Sequence, residues 1–141
     1  MRQNWTMTMR DTDAAWAAGF MDGEGTIGVY TGGVKKPFLR VVAAQSGTDK
    51  PLRRMQTLFG GSVNGPYFYE GKKPQWKWTV TGSRAHVALT LMLPFFSIKG
   101  SQAALALTLP IGRRGQHRTD AETMLYSNVQ SELKRIKRED T

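Results

Sequence analysis

Cysteine is absent from the 141-residue chain, which excludes disulfide frameworks, thiolate metal sites and cysteine nucleophiles. Histidine is scarce: His86 and His117 stand far apart in sequence, so neither a His-rich metal centre nor a His-based triad is expected within one chain, and neither residue is assigned a role. No apolar run approaches the roughly 20 residues that span a bilayer, and no membrane partner is expected. The opening stretch MRQNWTMTMR has no apolar h-region, so no secretory signal is read and a cytoplasmic or organellar location is expected. Internal repeats and low-complexity tracts are lacking too. Acidic residues are outnumbered, 11 Asp and Glu against 20 Lys and Arg, for a net charge of +9. That excess on a small chain favours a polyanionic partner, with nucleic acid the first candidate. Hydrophobic residues make up 40%, enough for a core, and the length suits one domain. We read 1–10 as a flexible N-terminal arm and 11–141 as that domain.

The periodicities predict the order α-β-β-α-β-β-α-α-α. Asp11-Thr12-Asp13 offers an N-cap for a helix through Asp22 that Gly23-Glu24-Gly25 ends. Thr26–Thr31 and Pro37–Ala44 read as strands around Gly32-Gly33. Asp49-Lys50-Pro51 opens a helix with an apolar stripe of Leu52, Met55, Leu58 and Phe59 and a solvated Arg53-Arg54. Strands follow at Ser62–Tyr69 and Gln75–Thr81; in the latter Trp76, Trp78 and Val80 alternate with polar residues, as core packing requires. Helices are expected at Ser83–Leu93, at Ile98–Leu109 and from Thr119, where Thr119-Asp120-Ala121-Glu122 has capping-box spacing. The last helix should bury Ala121, Leu125, Val129, Leu133 and Ile136. Its Lys134–Arg138 run is either solubilising or DNA-contacting. Two hairpins separated by a helix imply an α+β fold: one four-stranded antiparallel sheet with helices on one face and the other face free.

The first helix sorts its residues by size. Trp16, Ala17, Phe20 and Met21 fall on a side able to fill a core; Ala15, Ala18, Gly19 and Asp22 fall on a side where another backbone can approach closely. Gly inside a helix costs about 1 kcal/mol relative to Ala, so Gly19 calls for a packing reason. If two copies pair through that side, the carboxylates of Asp22 and Glu24 converge with their partners'. Paired acids near a twofold axis on a basic protein describe a divalent-metal phosphodiesterase.

Ala17-Ala18-Gly19-Phe20-Met21-Asp22-Gly23-Glu24-Gly25 closely resembles the motif of the LAGLIDADG homing endonucleases in its AGFxDGEG variant. The resemblance extends over Thr12–Leu109 through Leu58-Phe59-Gly60-Gly61-Ser62-Val63, Trp76-Lys77-Trp78 and Leu93-Pro94-Phe95-Phe96-Ser97-Ile98-Lys99 followed by Gln102. It implies the family's αββαββα fold and a set of roles. Glu24 would bind the catalytic metal. Lys99 would stabilise charge near the scissile phosphate or position water. Asp22 would fix the helix ends and the interface. A polar residue before the second helix would support the water network; Gln45, Thr48 and Asp49 are all candidates, because Ser46-Gly47 departs from the family form. The resemblance also implies Mg²⁺, with Mn²⁺ able to substitute and Ca²⁺ able to bind without supporting cleavage, and no small-molecule cofactor. One copy of the motif implies a symmetric homodimer on a long pseudopalindromic duplex, cut to short 3′ overhangs, encoded in an intron, another mobile element or a phage genome.

On the sheet, Ile27 and Val29 should face the helices and leave Thr26, Gly28 and Tyr30 toward DNA. Burying Arg40 unpaired would be costly, which puts Arg40, Val42 and Ala44 on the same open face, joined by Gln75, Lys77 and Thr79. Lys35, Lys36, Lys72 and Lys73 at the hairpin tips could reach flanking phosphates. The function read from these residues is a site-specific, metal-dependent double-stranded DNA endonuclease. The alternatives are a non-cleaving nucleic-acid-binding protein of the same fold, such as an intron maturase or a regulator, and a structural RNA-binding protein without the dimer.

Overall fold

The computed structural model describes residues 9–31, 36–111 and 118–139. Helix α1 (Asp11–Glu24) leads into the hairpin of β1 (Gly25–Tyr30) and β2 (Phe38–Ser46). Helix α2 (Lys50–Phe59) then precedes β3 (Ser62–Tyr67) and β4 (Gln75–Thr81). Helix α3 (Gly82–Met92), a 3₁₀ turn at Leu93–Phe95, α4 (Gly100–Ala106) and α5 (Asp120–Glu139) complete the chain. The strands form one antiparallel sheet in the order β1-β2-β4-β3. This is the expected α+β arrangement.

Alternation along the strands decides which face is dry. Ile27, Val29, Leu39, Val41, Ala43, Trp78 and Val80 are buried toward the helices. There they meet Ala17, Ala18 and Met21 of α1, Leu52, Met55 and Phe59 of α2, and Ala85, Ala88, Leu89 and Met92 of α3 in one hydrophobic cluster. Trp78 is fully buried and its Nε1–H donates to the Gly60 carbonyl at 2.8 Å, so its one polar atom is satisfied.

Several local expectations need correction. The N-cap of α1 is Arg10, which makes no side-chain capping bond; Asp11 and Asp13 lie in the first turn, where the helix dipole favours acids. Trp16 and Phe20 are only half-buried and stack on each other, with ring centroids 5.5 Å apart. Arg54 is not simply solvated: its guanidinium lies 4.0 Å from the Trp16 ring centre and pairs with Asp13 at 3.0 Å, joining α2 to α1. Strand β3 ends at Tyr67, with an irregular register between Asn64 and Tyr67, where Pro66 supplies no ladder donor. Helix α4 starts only after Lys99, at Gly100, and ends at Ala106.

The capping box of α5 is present: Thr119 N–H donates to Glu122 Oε1 at 2.8 Å and Glu122 N–H to Thr119 Oγ1 at 3.1 Å. Its buried residues are Tyr126, Val129 and Leu133, whereas Ala121 is exposed. Tyr126 anchors the stripe because its hydroxyl donates to the Pro110 carbonyl at 2.9 Å. Further along, Gln130 Nε2 donates to the Val29 carbonyl at 2.8 Å and Lys137 Nζ to the Ile27 carbonyl at 2.6 Å. Helix α5 thereby covers the outer edge of β1, an edge that would otherwise present unpaired carbonyls.

Candidate active site and nucleic-acid face

The end of α1 is tied to the start of α4. The Asp22 carboxylate accepts backbone N–H bonds from Ser97 at 2.8 Å, Ile98 at 3.1 Å and Lys99 at 2.9 Å. These bonds hold the 97–99 backbone in a turn against α1 and delay α4 until Gly100. Lys99 Nζ in turn donates to the Asp22 carbonyl at 2.9 Å. One aspartate thus places the Lys99 ammonium at the C-terminal end of α1, where free carbonyls and the helix dipole favour a cation. The carboxylate of Asp22 turns toward this turn within its own protomer, and Ala18 is fully buried in the core. Neither belongs to the free side of α1 on which the size sorting put them. The exposed small residues of that side are Ala15, Gly19 and Gly23, and a Cβ added at Gly19 or Gly23 would meet nothing within 4 Å. A side chain at Gly25 would instead run into Met21, 2.4 Å from its Sδ, so the turn into β1 requires glycine.

Glu24 is the last residue of α1, and its side chain is exposed. Among the described residues it makes no hydrogen bond or ion pair, and no group of three or more metal-ligating side chains occurs. One free carboxylate fits Mg²⁺, which keeps several waters and takes one or two carboxylates plus substrate phosphates, better than it fits an ion needing an all-protein cage.

The three support candidates separate. Thr48 Oγ1 accepts the Lys50 N–H at 3.2 Å, and Asp49 pairs with Arg53 at 3.0 Å, so both serve the start of α2. Gln45 lies half-buried at the end of β2, and the bond of its amide is to the adjacent Ser46 carbonyl at 3.4 Å. Lys137 was missed, because its basic run gives no hint which lysine turns inward. Burial, and then the charges of Lys99 and Lys134, push its ammonium below the usual lysine range. A second cation therefore stands within electrostatic reach of Lys99. The signal in the sequence was the seven-residue spacing of Gln130 and Lys137, two helical turns on one side of α5.

The helix-free face carries the residues expected there. Thr26 and Lys77 are exposed; Tyr30, Arg40, Val42, Gln75 and Thr79 are half-buried. Gln75 Nε2 donates to Ser46 Oγ at 3.2 Å. Gly28 shares this face but is buried, beneath the Tyr30 ring, so it shapes the surface through that ring. Lys36, Lys72 and Lys73 are exposed near the hairpin tips; Lys35 lies outside the described residues.

No protein-family model and no curated protein matches the sequence. Solved structures do. The homing endonuclease I-CvuI, in complex with a DNA target in the presence of Mg, superposes with a TM-score of 0.73 at 20% identity over 89% of this chain and 83% of that one. The archaeal intron-encoded homing endonuclease I-Vdi141I, complexed with DNA, gives 0.63 at 17% identity over 89% and 84%. The LAGLIDADG homing endonuclease I-GzeII, with its DNA target, gives 0.56 at 22% identity, over 88% of this chain and 44% of that one. The chain is built on the fold of these homing endonucleases, and the residues that resemble the LAGLIDADG motif close α1.

Proposed function

We propose that the protein is a site-specific double-stranded DNA endonuclease that works as a symmetric homodimer with divalent metal. The observation that carries this reading is the end of α1. Asp22 holds the Lys99 backbone and ammonium there, while Glu24, two residues on, is left exposed and, among the described residues, without a partner. A helix end built only for stability has no need of a tethered cation beside a free carboxylate.

Each residue then has a distinct task. Glu24 would hold the ion, and Mg²⁺ when bound supplies charge neutralisation at a phosphate and a more acidic water. Lys99 offers a fixed ammonium to the charge that develops on the scissile phosphate, a contact worth most in the transition state. Asp22 keeps that ammonium from swinging away. The exposed stripe of Ala15, Gly19 and Gly23 suits a second α1 across a twofold axis, which would bring two Glu24 carboxylates together. The helix-free sheet face and its hairpin lysines supply base and phosphate contacts on each half-site.

The test is recovery of cut ends from a random duplex library incubated with the protein and Mg²⁺. The reading predicts a long pseudopalindromic site cut on both strands with short 3′ overhangs. A sequence-specific but uncut population would instead favour a non-cleaving binder of the same fold.

A further inference from the structure

Arg40 sits on β2, an interior strand, paired across to Gly28 of β1 and Thr81 of β4. It stands on the open face near the β1–β2 hairpin end, two residues in from Phe38, which pairs with Tyr30 at that end. Its guanidinium carbon lies 3.6 Å from the centre of the Tyr30 ring. The Tyr30 ring occupies this place because residue 28 has no side chain: a Cβ there would lie 2.8 Å from Tyr30 Cε1. Glycine, tyrosine and arginine thus form a three-layer stack on the sheet.

The stack restrains the guanidinium without satisfying it. Among the described residues Arg40 makes no hydrogen bond or ion pair, and its Nε is sealed from water with no acceptor. Stacking uses the face of the guanidinium and leaves the N–H donors at its rim. Holding an arginine still costs side-chain entropy, and a buried donor without an acceptor costs more. The sealed Nε stays out of a partner's reach, but a partner with two coplanar acceptors would engage the terminal N–H donors of the fork and offset the cost of holding it. In the major groove guanine alone presents two acceptors, O6 and N7, on one base edge. A phosphate could accept too, but it presents the same oxygens beside every base and would set no sequence preference.

We propose that Arg40, laid on Tyr30 in the space that Gly28 leaves, is a preorganised guanine reader that sets base preference at one position of each half-site. This rests on the reading of the open face as the duplex-binding surface. The experiment is selection of bound sequences from a random duplex pool in Ca²⁺, with the full chain and with Arg40→Ala, Arg40→Lys and Gly28→Ala. Affinities are then measured on the selected duplex with guanine or 7-deazaguanine at the position in question. The wild type should prefer guanine there by about 5- to 150-fold, and 7-deazaguanine should remove much of that preference. Arg40→Ala should abolish it and become indifferent to 7-deazaguanine. Arg40→Lys keeps the charge but not the planar fork, so it should keep overall affinity and lose most of the preference; it also keeps the test decisive if the alanine variant folds poorly. Gly28→Ala, which displaces Tyr30 and leaves Arg40 in place, should weaken the preference. If the wild type selects a site but Arg40→Ala weakens all sequences alike, Arg40 is a phosphate contact and the proposal falls while the duplex-binding reading stands. If the wild type selects no sequence at all, the reading of the face falls and takes this assignment with it.

Discussion

The end of α1 and the open face of the sheet are built on opposite plans. At the helix end, three backbone N–H groups and one ammonium converge on Asp22. Few side chains are involved, and most of the geometry is held by the main chain. On the sheet face, side chains stand out from a backbone whose hydrogen bonds are already made in the ladder, and Lys77 and Thr26 are exposed. The contrast follows from what each region would do. Attack on a phosphate demands placement to a fraction of an ångström, which backbone bonds to a carboxylate supply. Base preference must be changeable without disturbing the fold, and a strand position that points away from the core can be changed freely. The Gly28-Tyr30-Arg40 stack is the point where the face borrows the rigidity of the helix end.

The largest effect expected from breaking this contrast is at neighbouring positions of α1. Gly19→Leu adds a side chain where the protomer has open space, so the fold should persist. A tight helix pair has no such room, and overpacking costs about 1–3 kcal/mol from each protomer. Sedimentation should show a shift to monomer, and double-strand cleavage should disappear. Ala18→Leu, one residue earlier, should lower the unfolding free energy by about 1–3 kcal/mol, because Ala18 is fully buried. If both variants lose only stability, the exposed stripe is not an interface.

Asp22→Ala comes next. The turn at 97–99 loses its acceptor, and chemical denaturation should report about 1–3 kcal/mol of lost stability. Cleavage should fall by more than duplex affinity does, because Lys99 is no longer held. Equal losses in both would make Asp22 a fold residue only.

A smaller contrast lies within the sheet. Lys77→Ala should change which sequences are preferred, whereas Lys72→Ala should weaken all sites alike and reduce the salt slope of binding by about one. Selection and salt titration of the two variants distinguish these outcomes.

The smallest effect is electrostatic. Lys137 is held below the usual lysine range by burial, then by Lys99 and Lys134. Its folded form binds the proton less tightly than the unfolded chain does. Its contribution to stability is therefore present above the unfolded-state pKa and lost as pH falls through the folded value. Lys99→Ala should raise the Lys137 pKa toward the ordinary value, as followed by NMR titration of the lysine side chains. An unchanged pKa would separate the two cations.

Much of this was legible in the residues, and the failures share a cause. Strand faces were readable because alternation is local: Arg40 outward and Val41 inward follow from a period of two. Helix faces were less so. Sorting α1 by residue size put Ala18 outside and Trp16 inside, but small residues are needed wherever backbones come close, and here α1 packs on the sheet and α3 with Ala17 and Ala18 fully buried. The role of Asp22 was half visible as a residue fixing helix ends; that its partners are the N–H groups of 97–99 depends on a contact across most of the chain. Thr48 and Asp49, candidates for the site, are bonded to the start of α2, since short polar side chains before a helix bond its first turn. Lys137 and Tyr126 were hidden because α5 lies along an edge of the sheet, and edge contacts leave no clean helical stripe.

In the proposed function Glu24 is the metal-binding acid of a DNA-cutting dimer. Its most direct test is a comparison of wild type and Glu24→Gln on the selected duplex, with cleavage followed in Mg²⁺ and binding followed in Ca²⁺ and without metal. The substitution keeps the size of the side chain and removes its charge. The account predicts that cleavage of both strands is lost while binding survives; cleavage at the wild-type rate by Glu24→Gln would contradict it.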